Sequence, residues 1–232
     1  MSWVLISLFL ALLLLFLVWA SSDISSGVYL KALCRDGKSK GVVYLTFDDG
    51  PEPVWTDRVL DVLAERGAVA TFFVIGSKVP GKEGLLKRIA DEGHSLGIHS
   101  YCHSAWFPML RDRKMREDLS KCAEVISEAA GVETNLFRPP FGVVNPVVAR
   151  TARHLGLRTI GWSVRTLDTS LMGRNDGQER ILKRIDRRLA DGAVILLHDR
   201  LPHCDDLLVK VLDLLDRRGY RYDIALRVDV EG

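Results

Sequence analysis

Cysteine is scarce in this sequence, and its few cysteines form no recognisable pattern. The chain has 232 residues and four cysteines, no two of which stand in a Cys-x-x-Cys pair, so a cysteine-rich zinc knuckle is excluded. Four irregularly spaced cysteines are also too few for a disulfide scaffold, although one or two bridges remain possible in an oxidising compartment. The hydrophobic content of 47% predicts instead one large domain, or one domain with an appendage, around a sizeable core.

A concentrated block of one charge is also missing. Lys and Arg total 32 against 30 Asp and Glu, and the two signs are mixed along the chain, so the net charge is only +2. Proteins that bind nucleic acid usually carry a basic stripe or face. We therefore expect no nucleic-acid partner.

Residues 3–20 lack charge altogether and include a single serine. A membrane-spanning helix needs about 17–25 such residues, and Trp3 and Trp19 stand where aromatic belts lie. We predict that residues 1–20 form a membrane anchor. A cleaved signal peptide is the alternative, although no Lys or Arg precedes the run. The orientation of this helix in the membrane stays open. Four basic residues follow it, and the positive-inside rule would place them, with the rest of the chain, in the cytoplasm: Lys31, Arg35, Lys38 and Lys40.

Residues 21–40 are polar and predict a linker, so the globular part is expected over residues 41–232. From there, short apolar runs alternate with amphipathic segments that end at glycines. The predicted strands are 42–45, 69–75, 95–98, 159–164, 193–197 and 220–225, and the predicted helices are 54–66, 85–92, 109–130, 146–155, 178–190 and 205–218. Alternation of this kind implies an α/β fold with a parallel sheet. About seven units suit a closed or nearly closed barrel, whose functional residues follow the strands.

Two adjacent carboxylates, Asp48 and Asp49, follow the first predicted strand. Gly50-Pro51 ends that strand, so both carboxylates are expected at its carboxyl end. An isolated Asp-Asp-Gly sequence is most often a turn. Adjacent like charges repel, however, and at least one of them needs a cation or a proton.

Two histidines follow the strand at 95–98. His99 and His103 have the i, i+4 spacing that lets two imidazoles share one metal ion. With one of the preceding carboxylates they would supply two nitrogens and one oxygen and leave a position for water. Zinc is the first choice for these ligands, and Co, Mn, Ni and Fe accept them too. We interpret Cys102 as a packed or idle thiol and His94 as structural.

Three further polar segments follow predicted strands. Residues 138–142, Arg-Pro-Pro-Phe-Gly, are stiffened by two prolines and could hold a backbone N–H at a fixed point, as an oxyanion site requires. Arg138 could pair with a carboxylate, although an ordinary rigid turn is the alternative. Residues 162–169 contain an acid, and His198 ends an apolar strand. Because histidine titrates near neutral pH, His198 suits a general acid.

With these segments together, residues 41–226 resemble the polysaccharide deacetylase family, the NodB-homology domain of carbohydrate esterase family 4. The matching segments occur in the family's order: TFDDGP at 46–51, HSYCH at 99–103, RPPFG at 138–142, WSVRTLDT at 162–169 and LLHD at 196–199. TFDDGP is highly specific by itself. The resemblance implies a distorted (β/α) barrel and metal-dependent hydrolysis of an N-acyl group, usually an N-acetyl group on an amino sugar.

The resemblance also implies a metal site and a base. Asp49, His99 and His103 match the family's metal ligands. Asp48 matches the general base, and Arg138 matches the arginine that holds the carboxylate of that base.

On the acid side of the site, the resemblance implies that His198 protonates the leaving group and that Asp168 orients it. Phe141 would give its backbone N–H to the oxyanion, and Leu196 would line the acetyl pocket. Three positions depart from the common pattern: Phe141 stands where Tyr is usual, Arg165 where Asp is frequent, and Thr169 where Trp often walls the pocket. These departures put the sugar specificity in doubt.

We therefore expect a metal-dependent N-deacetylase that acts on an envelope polysaccharide, peptidoglycan or a lipid-linked amino sugar. It would be anchored in a bacterial-type inner membrane with its catalytic domain outside the cytoplasm, or secreted if the N-terminal segment is cleaved. An O-deacetylase or a deformylase would use the same site. A catalytically weak glycan-binding protein is the rival from another class, and the presence of every expected ligand, base and acid favours the enzyme.

Overall fold

A computed structural model describes residues 2–223 and 225–226 of the chain. The helices of this part are α1 (Ser2–Ser22), α2 (Trp55–Glu65), α3 (Glu83–Asp91), α4 (Asp112–Ala130), α5 (Pro146–His154), α6 (Asp168–Leu171), α7 (Gly177–Arg188) and α8 (Cys204–Arg218). The strands are β1 (Val43–Asp48), β2 (Ala70–Val74), β3 (Ser95–Ile98), β4 (Leu136–Phe137), β5 (Arg158–Thr159), β6 (Val164–Arg165) and β7 (Ala193–His198).

The seven strands form one sheet in the order β5-β4-β3-β2-β1-β7-β6, and every pairing in it is parallel. The longest strands, β1 and β7, are neighbours and pair over six residues, from Val43 beside Ala193 to Asp48 beside His198. Parallel strands need helical crossovers, which cover the outer face of the curled sheet. The structure confirms the predicted α/β fold, a distorted barrel of seven strands preceded by one apolar N-terminal helix.

Side chains alternate between the two faces of β1, as the period of a strand requires. Val43, Leu45 and Phe47 pack outward in the large cluster shared with the helices. Tyr44 packs on the inner face in a smaller apolar cluster. Asp48 lies on that same inner face, so the barrel interior is apolar at the amino ends of the strands and polar at the carboxyl ends.

The single strand predicted over residues 159–164 is wrong. Its ends belong to β5 and β6, which lie at opposite edges of the sheet, and residues between them cross from one edge to the other. Gly161 passes so close to Cys34 and Ile24 that a side chain there would collide with both. A contact with a residue more than a hundred positions earlier interrupts the strand, and local pattern does not reveal such a contact.

The segment 21–40, predicted as a linker, packs against the barrel. Leu33 donates its N–H to the Thr159 carbonyl at 2.9 Å and accepts the Gly161 N–H at 3.0 Å. Asp36 donates to the Gly192 carbonyl at 2.8 Å, just before β7. The segment therefore joins the β5 edge of the sheet to β7.

Helix α1 presents its apolar side chains outward. Its stretch from Trp3 to Ser22 is the one candidate membrane span among the described residues, and only 6% of its most apolar window is buried. A core helix would be mostly buried, whereas a membrane anchor or a signal sequence would not. Ala20, near its end, is fully buried, and Ser21 accepts the Val144 N–H at 2.9 Å, so the helix leaves directly from the barrel.

Two smaller expectations concern the last predicted strand and the disulfides. In the segment predicted as a strand over 220–225, Arg221 forms an isolated parallel bridge with Val42. Residue 224 lies outside the described residues. All four cysteines are free thiols, so neither of the bridges left open by the sequence forms.

Candidate active site

A cleft of about 190 Å³ opens at the carboxyl ends of the strands. Eight of the nine predicted site residues line it: Asp48, Asp49, His99, His103, Phe141, Asp168, Leu196 and His198. The ninth, Arg138, is fully buried behind Asp48. The fold therefore brings together side chains that are spread over 150 positions of sequence, from 48 to 198.

A carboxylate and two imidazoles converge on one side of the cleft. Asp49 Oδ1 lies 3.5 Å from His99 Nε2 and 3.4 Å from His103 Nε2, and one ligand atom from each of the three residues lies within 4.8 Å of the others. Asp49 adopts a left-handed backbone conformation (φ 73°) directly after β1, which turns its side chain away from that of Asp48. The i, i+4 histidines do not sit on a helix, since His103 also has a positive φ of 47°.

Both imidazoles are oriented by groups behind them. The His99 Nδ1 lies 2.7 Å from the carbonyl oxygen of Arg138, so Nδ1–H donates and Nε2 keeps its lone pair towards Asp49. The backbone N–H of His103 donates to Ser100 Oγ at 2.8 Å. Burial, and then the neighbouring His99, lower the pKa of His103. A neutral imidazole is the form that binds a metal, and these residues therefore fit a divalent ion.

Arg200 reaches the second oxygen of Asp49, a contact that the sequence analysis missed. Its Nε donates to Asp49 Oδ2 at 2.7 Å. Burial raises the pKa of Asp49, but hydrogen bonding and charge from His99, followed by the Arg200 hydrogen bond, outweigh it and leave the pKa well below its usual range. The only signal in the sequence is an arginine two residues after His198, at the end of β7.

Asp48 forms a buried ion pair with Arg138. Nη1 of Arg138 lies 2.7 Å from Asp48 Oδ1, and both side chains are withdrawn from solvent. The same nitrogen donates to Thr46 Oγ1 at 2.9 Å, and Nη2 donates to the Gly161 carbonyl at 2.8 Å. The guanidinium also stacks on Phe73 at 4.2 Å. These contacts fix Oδ1 of Asp48 and leave Oδ2 on the cleft side, 3.8 Å from His99 Nε2.

His198 faces Asp49 across the cleft and is held by Asp168. Its Nδ1 lies 2.8 Å from Asp168 Oδ1, and its backbone N–H donates to Oδ2 of the same carboxylate at 2.8 Å. Burial lowers the pKa of His198, but the hydrogen bond and charge of Asp168 outweigh it and raise the pKa above its ordinary value. The Nε2, 4.0 Å from Asp49 Oδ2, is left to exchange protons in the cleft.

The turn at 140–142 is shaped by its contacts. Phe141 has a left-handed backbone (φ 62°), and its half-exposed ring lies 4.9 Å from the ring of His103. Gly142 is also left-handed, and a Cβ at this position would collide with the Trp162 ring. Two consecutive positive φ values curl the backbone, and Phe141 lines the cleft beside the histidines.

The remaining wall of the cleft contains Leu196 and the other two of the three departures noted in the sequence, Arg165 and Thr169. Leu196 pairs with Thr46 across β1 and β7 and is largely buried. Thr169 donates its N–H to Asp168 Oδ1 at 2.9 Å, so its backbone helps to fix the Asp168 carboxylate. Arg165 extends from β6 with its guanidinium 5.9 Å from the Trp162 ring centre. The cleft wall is therefore more basic and less aromatic than the family pattern predicts.

Comparison with known proteins agrees with this geometry. The family model described as "Polysaccharide deacetylase" matches residues 35–160. The chain is 34% identical over 184 residues to a peptidoglycan-N-acetylglucosamine deacetylase of Bacillus cereus, covering 78% of this chain and 84% of that protein. It is 34% identical over 174 residues to a chitooligosaccharide deacetylase of Sinorhizobium fredii, covering 75% and 79%.

The fold of the chain is also similar to that of a solved deacetylase structure. The Bc1960 peptidoglycan N-acetylglucosamine deacetylase, in complex with 4-naphthalen-1-yl-N-oxidanyl-benzamide, superposes with a TM-score of 0.76 at 30% identity. The match covers 83% of this chain and 89% of that one. Family model, sequence relatives and fold thus coincide, and the chain belongs to the polysaccharide deacetylase family.

Proposed function

We propose that the protein is a metal-dependent hydrolase that removes N-acetyl groups from amino sugars of a cell-envelope glycan. One observation carries the proposal. Asp49, His99 and His103 form a cluster with ligand atoms within 4.8 Å of one another, and a base carboxylate and a histidine–aspartate pair face the same cleft. Metal-dependent hydrolysis of an amide uses these three functions together.

Asp49, His99 and His103 would hold one divalent metal ion, and their nitrogen and oxygen donors suit zinc first, with Co, Mn, Ni and Fe as alternatives. When bound, such an ion polarises a carbonyl group and makes water easier to deprotonate. Arg200 keeps the second oxygen of Asp49 occupied at 2.7 Å. That contact favours a single ligand oxygen from Asp49 rather than two.

Asp48 would act as the general base. Its Oδ1 is held by Arg138, so Oδ2 accepts the proton of the water that attacks the acetyl carbonyl. A new C–O bond forms, and the carbonyl oxygen gains the charge. The backbone N–H of Phe141, next to His103 in the cleft wall, would donate to that oxygen.

His198 would act as the general acid. An amine leaves poorly from a tetrahedral centre unless its nitrogen is protonated, and Nε2 of His198 supplies that proton while Asp168 stabilises the imidazolium. The C–N bond then breaks, and the products are acetate and a free amino sugar. The hydrogen bond and charge of Asp168 raise the pKa of His198, which favours the protonated form that a general acid needs.

The relatives that are named as deacetylases of peptidoglycan and chitooligosaccharides support an N-acetyl amino sugar as the substrate class. The outward-facing apolar helix α1 supports attachment to a membrane through residues 3–20. We place the catalytic domain, residues 41–232, outside the cytoplasm because an envelope glycan would be reached from that side. Cleavage of the same segment would give a secreted enzyme. A substrate at the membrane or wall suits either arrangement.

Two alternatives share the site. An O-deacetylase or a deformylase would need the same ligands, base and acid. A glycan-binding protein with weak catalysis would need none of them. The ion pair that holds Asp48 and the hydrogen bond that holds His198 favour catalysis, because binding alone gains nothing from orienting a base and an acid.

The test is acetate release by the full chain in detergent micelles. Substrates are chitin oligomers, peptidoglycan fragments and a lipid-linked acetamido sugar, each with added zinc or cobalt and, separately, with chelator. Metal-dependent acetate release is the expected result. Release from O-acetylated or N-formylated substrates alone would support the other hydrolases, and metal binding without any release would contradict the proposal and favour a binding protein.

A further inference from the structure

A surface rich in arginine adjoins the candidate active site. Arg165 lines the cleft and also a neighbouring hollow, whose wall includes Arg184 and Arg188. The Arg184 Nε donates to the backbone carbonyl of Arg165, which ties α7 to β6. A third hollow contains Arg184, Arg187 and Arg188. We refer to Arg165, Arg184, Arg187 and Arg188 as the arginine surface.

Within the described part of the chain, no carboxylate forms an ion pair with these four arginines. None of the four arginines has an acidic oxygen within 4.0 Å, whereas their neighbours on α7 do: Arg180 lies 2.8 Å from Asp176, and Lys183 pairs with Glu179. Asp23, the one acid that lines the second hollow, accepts hydrogen bonds from Ser25 instead. The arginine surface is therefore a concentration of unpaired positive charge.

The arginines also repel one another. Burial, followed by the charges of Arg188 and Arg165, lowers the pKa of Arg184. Holding like charges together costs free energy, which an anion bound between them would offset. A guanidinium group forms bidentate hydrogen bonds with phosphate. Several neighbouring arginines therefore favour a phosphate group, which offers more acceptor oxygens than a single carboxylate.

The position of the arginine surface is as informative as its charge. The hollow that Arg165, Arg184 and Arg188 share is also lined by residues 23–25. These residues follow directly after the end of α1 at Ser22. The surface thus extends from the catalytic cleft to the end of the apolar helix, where a membrane surface would lie.

We propose that the substrate carries a phosphate ester next to its acetamido sugar, and that the arginine surface binds this phosphate while the sugar occupies the cleft. A sugar linked through phosphate to a lipid has this chemistry, and it would present its phosphate at the membrane surface. The proposal rests on the proposed function, since it names the substrate of the same site. It adds a binding subsite that the deacetylation chemistry itself does not require.

The test compares two ligands that differ only in the phosphate. The full chain is placed in nanodiscs of uncharged phosphatidylcholine, and dissociation constants are measured for decyl N-acetylglucosaminyl phosphate and for uncharged decyl N-acetylglucosaminide. Chelator is present, so that phosphate cannot bind through a metal. Hydrogen bonds between charged groups predict at least about tenfold tighter binding of the phosphate ligand, and the preference should shrink as salt increases.

Variants assign the preference to the arginine surface. Arg165→Gln and Arg188→Gln should each reduce the affinity ratio of the two ligands. Arg113→Gln is the matched control, since Arg113 lies on α4, pairs with Glu117 at 3.2 Å and lines neither the cleft nor the two hollows. Its ratio should equal that of the wild type. Free N-acetylglucosamine 1-phosphate, tested in parallel, separates a soluble sugar phosphate from a lipid-linked one.

Equal affinities of the wild-type protein for the two decyl ligands would overturn the proposal, as would a ratio unchanged in both arginine variants. Stronger binding of both ligands in nanodiscs with phosphatidylglycerol, without any preference for phosphate, would assign the surface to membrane headgroups and also overturn it. A phosphate preference without acetate release in the zinc-loaded protein would count against the proposed hydrolysis while supporting the subsite.

Discussion

His94 and His99 stand at the two ends of the same strand, β3, and both are buried, yet their surroundings differ completely. His94 packs against Phe72 and accepts the Ala70 N–H through Nδ1 at 3.3 Å, and its Nε2 has no hydrogen-bond partner among the described residues. His99 fixes its Nδ1 on the Arg138 carbonyl and directs Nε2 at Asp49. His94 Nε2 lies 3.8 Å from a single described carboxylate, that of Glu92, whereas His99 Nε2 lies within 4.0 Å of both Asp48 and Asp49. The residue type and the burial are alike, so the number of converging groups makes the difference.

The contrast extends to the whole barrel interior. At the amino ends of the strands the interior is filled by Val42, Tyr44 and Val194. At the carboxyl ends it contains Asp48, with Arg138 between the two layers. The apolar end excludes water and stabilises the fold, and the polar end presents a carboxylate and two imidazoles whose ligand atoms are close enough to hold a metal ion.

The largest effect is expected from His99→Ala. Loss of one imidazole ligand should remove the bound metal and reduce acetate release about a thousandfold or more, since the metal supplies several kcal/mol of transition-state stabilisation. Metal content per chain and acetate release measure the two effects. His94→Asn is the matched control and should retain both. Full metal occupancy in His99→Ala would show that the ligand set is wrong.

Arg138→Met should destabilise the protein by about 3–5 kcal/mol, because it leaves the Asp48 carboxylate buried without its partner. Urea unfolding measures the change. Arg113→Met, at an exposed position, should stay within about 0.5 kcal/mol of the wild type. The double variant Asp48→Asn with Arg138→Met should lose less stability than the two single variants together, and full additivity would show that the ion pair is not the cause.

His198→Ala should reduce turnover about 10²–10⁴-fold, the usual contribution of a general acid or base. The metal content should not change, because His198 Nε2 is 4.0 Å from Asp49 and outside the ligand cluster. Wild-type turnover in this variant would refute the assignment of the acid. Lost metal would instead move His198 into the ligand set.

The smallest effect concerns His94 and pH. Burial lowers the pKa of His94 from 6.5 to about 4. Because the unfolded chain binds this proton between about pH 6.5 and pH 4 and the folded chain does not, the free energy of unfolding should fall by about 2 kcal/mol as pH drops through that window. His94→Asn keeps an acceptor for the Ala70 N–H and does not titrate, so its stability should fall by less.

The comparison is between urea unfolding of the wild type and of His94→Asn at pH 7 and pH 4.5. The wild type should lose more of its free energy of unfolding between pH 7 and pH 4.5 than His94→Asn does. An identical loss of stability in both would mean that other groups carry the acid sensitivity and that His94 is not the buried neutral group described here.

Sequence reasoning located the strand ends well where strands are long and regular. β1 and β7 carry alternating or continuous apolar runs that stop at Asp48 and His198, and the polar residues after them are therefore at one end of the barrel. The strand at 159–164 was predicted wrongly, since its residues are apolar enough for one strand but are divided by the approach of Cys34 to Gly161. Arg200 was missed because its contact with Asp49 spans 151 positions.

The sequence by itself determined the alternation of strands and helices, the family, and the identity of the residues at the strand ends, because periodicity, chain breaks and motif spacing are local properties. Only the tertiary structure decided which oxygen of Asp48 is held by Arg138, which nitrogen of His99 faces Asp49, and that the arginine surface adjoins both the cleft and the end of α1. These relations depend on packing between distant segments, where the cost of burying each charge selects its partner.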